Sequence, residues 1–126
     1  MKKLIVSLAV SAILLLVFQS FVSKTAPAPD IPADVKEILK TSCYDCHSQE
    51  SSNKKGKSAL NFDKWDDYKD SKKISKLDAI CEMISKDKMP PEKYLKNSPE
   101  KAPSDDQKVA LCGWTDKEAE KLMGGN

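Results

Sequence analysis

The chain contains no arginine, so a carboxylate that it holds, its own or a ligand's, goes without a bidentate guanidinium fork. Lysines, backbone amides or the indole N–H groups of Trp65 and Trp114 must serve instead. Histidine occurs once, at His47, which excludes any site built from two imidazoles of one chain. There is no glycine-rich phosphate loop, no strand-like alternation of apolar and polar residues and no internal repeat, so the architecture expected is all-α. A basic surface is missing too. The formal charge is +2, and setting Lys2 and Lys3 aside leaves nineteen lysines against nineteen acids, which offers nothing toward nucleic acid.

What the chain does carry is Cys43-Tyr44-Asp45-Cys46-His47. This is the C-x-x-C-H spacing of a c-type haem site: two thiols one helical turn apart can add to the two vinyl groups of one porphyrin, and the adjacent imidazole falls under the iron as proximal ligand. Three other readings compete. A thioredoxin-like C-x-x-C belongs between strand and helix, and the residues before Cys43 read as helix. A zinc site would need a fourth ligand, from Cys81 or Cys112, and zinc ligands usually come as two separated pairs. A plain Cys43–Cys46 disulfide would leave His47 without a role.

The 126 residues suffice for one domain. Met1-Lys2-Lys3 followed by the apolar run Leu4 to Phe18 reads as a secretory signal segment, assigned to residues 1–22; if uncleaved, it is about long enough to anchor the chain in a membrane. Residues 23–31, with Pro27 and Pro29, form a short tether, and residues 32–126 the functional domain. Such a leader places the domain in the periplasm or otherwise outside the cytoplasm, where disulfides persist.

Within the domain, Pro32 is expected to start a helix whose stripe Val35, Ile38 and Leu39 leads to Cys43. Residues 48–58 are polar and read as a solvated loop. A short helix capped by Asp63 should carry Trp65 and Tyr68 on one side. Ile74, Leu77, Ile80, Cys81 and Ile84 form one apolar stripe over 71–88, with the helix stopped at Met89 by Pro90 and Pro91. Residues 96–103 read as loop. Ser104-Asp105-Asp106-Gln107 is a capping box for a last helix ending at Gly124-Gly125, with Val109, Leu111, Cys112, Thr115, Ala119 and Leu122 on one face. Gly113 inside it costs about 1 kcal/mol relative to alanine. Either it permits a close backbone approach, or Thr115 to Glu118 restarts a second helix.

With one histidine, the sixth position of a haem iron would fall to Met, Lys, solvent or nothing. Of the methionines beyond the leader, Met83 reads as core and Met123 sits at a fraying end, whereas Met89 lies on an extended segment held by two prolines and is the candidate distal ligand. Cys81 and Cys112, each on a buried stripe of an exported protein, are expected to form a disulfide worth about 3 to 4 kcal/mol in the chain-entropy account. It would encircle Met89.

The run Ile38 to Ser48, the later Leu60-Asn61-Phe62 with Trp65, the Met89-Pro90-Pro91 element and a final helix bearing Trp114 resemble the small haem-binding domain family of bacterial c-type cytochromes. The resemblance implies one covalent haem c on Cys43 and Cys46, with His47 and Met89 as the metal ligands. Gln49 to Lys57 is polar where members often carry aromatic and proline residues, so the haem edge is expected to be more exposed. The function expected is that of a monomeric, exported monohaem cytochrome, not an enzyme, which exchanges electrons with redox partner proteins by outer-sphere transfer. A haem sensor or peroxidase-like protein with an open sixth iron site is the alternative.

Overall fold

Val35, Ile38 and Leu39 recur on one side of helix α1 (Ala33–Ser42) and are its buried residues. The computed structural model describes residues 31–124; the leader assigned to 1–22, and the tether apart from Ile31, lie outside these. Pro32 precedes the helix instead of opening it: its ψ of 147° is extended, and its carbonyl accepts the first helical bond from Lys36 N–H at 2.9 Å. At Cys43 (φ −121°, ψ −39°) the helix breaks, and α2 (Tyr44–His47) follows as one turn. The Cys43 carbonyl accepts the amides of both Cys46 and His47, at 3.1 and 3.0 Å.

The polar stretch expected as loop contains a helix, α3 (Lys54–Ala59). Its local signal is Asn53, whose Oδ1 accepts Gly56 N–H at 2.9 Å. Its tertiary cause is Gly56: a Cβ there would sit 2.6 Å from the Cys46 carbonyl oxygen, so only glycine lets α3 lie against α2. Buried Ser51 ties the two together, donating to the Asp45 carbonyl at 2.7 Å and accepting Asn53 N–H at 3.0 Å.

A 3₁₀ turn, Phe62–Asp67, buries Phe62 and Trp65. Its cap is Asn61, not Asp63: the Asn61 side chain accepts Asp63 N–H, and the Asp63 carboxylate accepts Gln49 N–H instead. Helix α4 (Asp70–Ser85) ends before the prolines compel it to. Asp87 takes a left-handed φ of 53°, Lys88 N–H reaches back to Met83 O and Asp87 N–H to Ile84 O, the paired bonds of a Schellman stop. Beyond the cis Met89–Pro90 bond comes a one-turn helix, α5 (Glu92–Leu95), and the stretch expected as loop, residues 96–103, holds a 3₁₀ turn at Pro99–Lys101.

Helix α6 (Asp105–Gly124) is unbroken, and no strand occurs among the described residues. The capping box forms in both directions, Ser104 N–H to Gln107 Oε1 at 2.9 Å and Gln107 N–H to Ser104 Oγ at 3.3 Å. No second helix restarts at Thr115, whose hydroxyl donates to the Cys112 carbonyl at 2.9 Å within the same helix. A Cβ at Gly113 would meet nothing within 4 Å, so no backbone approaches there. The buried face is Leu111, Trp114, Thr115 and Glu118. Val109 is 72% exposed, because lying two residues before Leu111 puts it about 160° round the helix, opposite the buried face. The α4–α6 pair is the main packing of the fold, and the Cys81–Cys112 disulfide joins it with Cα atoms 4.8 Å apart. One core, from Val35 and Leu39 through Phe62, Leu77 and Ile84 to Leu111 and Trp114, connects the helices.

Candidate functional site

Breaking α1 at Cys43 and restarting at once as α2 turns Ser42, Cys43, Cys46 and His47 toward a cleft of about 270 Å³. Leu60 and Phe62 form one part of its wall; Ala79, Ile80, Met83 and Ile84 of α4 another; Met89, Pro90, Pro91 and Tyr94 a third; Pro103 and Leu111 complete it. All four residues picked from the sequence, Cys43, Cys46, His47 and Met89, therefore meet on one surface. That surface is apolar, as a cavity for a large flat ligand must be.

Three polar side chains on the cleft, His47, Asp45 and Tyr94, have partners. His47 Nδ1 lies 3.1 Å from the Leu60 carbonyl, which can only accept, so Nδ1 carries a proton and, in the neutral imidazole, the lone pair is on Nε2. The Asp45 carboxylate receives the Tyr94 hydroxyl at 2.6 Å and the Lys101 ammonium at 3.1 Å. Those two bonds hold its pKa below the ordinary carboxylate value, and the same carboxylate pushes the Tyr94 phenol up to about 12. Burial, then the neighbouring Cys46, pushes the Cys43 thiol up to about 12.

A thiol so raised stays protonated near neutrality, the reverse of the activated thiolate that a redox-active C-x-x-C requires. Cys43 and Cys46 are both free, so they form no disulfide with each other. The zinc alternative also fails. Cys81 and Cys112 are bonded to one another, and among the described residues no three Cys, His, Asp or Glu side chains converge.

The family model for a haem-binding domain matches residues 51–117, just over half of the chain. The chain belongs to this haem-binding family. No curated protein and no solved structure matches it. The matched region of the haem-binding domain takes in Leu60 to Trp65, Met89-Pro90-Pro91, both disulfide cysteines and Trp114, and begins after Cys43 to His47. Binding of haem follows from the family; the C-x-x-C-H turn enters through the cleft that it helps to line.

The donor set fits such a group: an imidazole with Nε2 available, a thioether, two uncommitted thiols and an apolar wall. Among the cleft residues missed from sequence, two stand on α4. Met83, read as core, lines the cleft, and so does Lys76. Their signal is spacing, since Lys76, Ile80 and Met83 share one stripe of α4, but a lysine in that stripe looks like ordinary surface until the cleft is seen. Neither indole considered as a carboxylate donor lines the cleft. Trp65 sits edge-on to Tyr68 at 6.0 Å, and the Trp114 Nε1–H is buried without a partner among the described residues, both drawn inward by the core.

Proposed function

We propose that this haem-binding domain is an exported monohaem c-type cytochrome, in which Cys43 and Cys46 form thioethers to a single haem and His47 and Met89 are its axial ligands. The observation that carries this reading is the meeting of all four side chains on one apolar cleft. A haem so held supplies an iron that changes charge by one electron without changing its ligands. The remaining work belongs to the chain. The Leu60 carbonyl orients His47 through Nδ1, the apolar walls exclude water, and Lys76, which makes no ion pair among the described residues, is the cation on the cleft for a haem carboxylate. With His47 and Met89 both holding the iron, the protein would relay electrons to and from redox partner proteins and would catalyse no reaction of its own.

The alternative, a sensor or peroxidase-like protein with an open sixth site, is favoured by one feature: Met89 is 39% exposed where the other cleft methionine, Met83, is partly covered. Two measurements decide between them. In protein matured with haem, the pigment stays with the polypeptide in acidic acetone, and a pigment that washes out sinks the thioether assignment. The oxidised protein shows a weak sulfur-to-iron band that Met89→Ala abolishes; five-coordinate high-spin iron in the unaltered protein sinks the electron-relay reading and supports the open site.

A further inference from the structure

One carboxylate fastens the haem-motif turn to the segment that carries Met89. Asp45 stands between the two cysteines, and its Oδ2 receives both the Tyr94 hydroxyl at 2.6 Å and the Lys101 ammonium at 3.1 Å. Tyr94 belongs to α5 and Lys101 to the 3₁₀ turn after it, so both lie downstream of Met89-Pro90-Pro91. At its upstream end the segment is tied to α4, where the Met83 carbonyl accepts the amides of Lys88 and Met89 at 2.9 and 3.3 Å. At its downstream end α5 and the 3₁₀ turn rest on each other. Among the described residues, the side-chain bonds that leave residues 92–102 for another part of the chain all go to Asp45.

We propose that Asp45 is a positioning residue, a latch that through Tyr94 and Lys101 keeps the Met89 thioether within reach of the haem iron and denies the sixth position to external ligands. This rests on Met89 being the distal ligand. Asp45 and Tyr94 both line the cleft that carries Met89. Removing one hydrogen bond to a charged acceptor shifts such an opening equilibrium by roughly tenfold.

The test uses the haem-loaded protein and carbon monoxide as probe. Tyr94→Phe and Asp45→Ala are expected to bind carbon monoxide to the reduced protein about tenfold faster than the unaltered protein, in proportion to the open fraction. Both weaken the sulfur-to-iron band. Lys101→Gln gives a smaller acceleration, and the Asp45→Ala/Tyr94→Phe double variant is no faster than the faster single one, because the two residues form one bond. Tyr94→Phe and Lys101→Gln binding at the unaltered rate, while Met89→Ala accelerates it, overturns the latch and leaves Met89 as ligand. Unaltered protein that already binds as fast as Met89→Ala overturns the axial assignment and the latch with it.

Discussion

At the scale of single residues, Gly56 and Gly113 show how little a residue type says without its surroundings. Both are helical, and replacing either by alanine raises helix propensity. At Gly113 the new methyl meets nothing within 4 Å, and Gly113→Ala should stabilise the protein by about 1 kcal/mol in denaturant unfolding. At Gly56 it would sit 2.6 Å from the Cys46 carbonyl oxygen, a backbone atom that cannot swing away, and Gly56→Ala should destabilise by about 1 to 3 kcal/mol. The pair distinguishes a surface helix from a backbone contact by the sign of the change. Tyr94 offers a second residue-scale outcome. Its phenol is pushed up to about 12 from an ordinary 10.0 by the Asp45 carboxylate, so the bond's contribution to stability is complete below pH 10 and is lost as pH rises through about 12. Ultraviolet titration of phenolate should show this late tyrosine, and Asp45→Asn should bring it earlier; an unchanged midpoint would remove the carboxylate as cause. The C-x-x-C-H pattern was legible because its five residues are contiguous. The Asp45–Tyr94 bond was not, because its two ends lie 49 residues apart.

At the scale of elements, the capping box was read correctly from a single turn, the Pro32 start and the Asp63 cap were each displaced by a residue or two, and α3, which needs a neighbour, was missed. Ser104 and Gln107 cap α6 as their spacing requires, since both bonds close within three residues. Pro90 set only the last place where α4 could end. The earlier stop at Ser85 comes from Asp87 entering the left-handed region, which an aspartate does at modest cost and which no spacing rule marks. Helix α3 was missed because a run of lysines has no apolar stripe; what holds it is Gly56 against α2 and the Asn53 cap. The α4–α6 pair, in contrast, was announced by two stripes each bearing a cysteine. With Cys81 and Cys112 joined across 31 residues, Cys81→Ser/Cys112→Ser should lose about 3 to 4 kcal/mol of stability, read from denaturant midpoints. A loss below about 1 kcal/mol would mean that α4 and α6 are held almost wholly by their packed side chains.

At the scale of the molecule, the cleft sets the balance between core and surface. Leu60, Ile80 and Met83 line it and stay only partly covered, so the core formed by the protein alone is smaller than its apolar stripes allow. A haem in the cleft would complete that core. Protein matured with haem should therefore unfold at a clearly higher temperature than protein made without it, and equal midpoints would place the haem outside the cleft. By itself the sequence determined what neighbours within a turn or two can determine: the all-helical class, the apolar stripes, the capping box, and Cys43, Cys46 and His47 on one turn. Only the tertiary structure decided which stripe faced the cleft instead of the core. That choice drew in Lys76 and Met83, left Val109 in solvent and gave Asp45 its partners. The physical reason is that helical period and caps depend on nearby residues, whereas a cleft and its polar bonds exist only where segments distant in the chain are brought together.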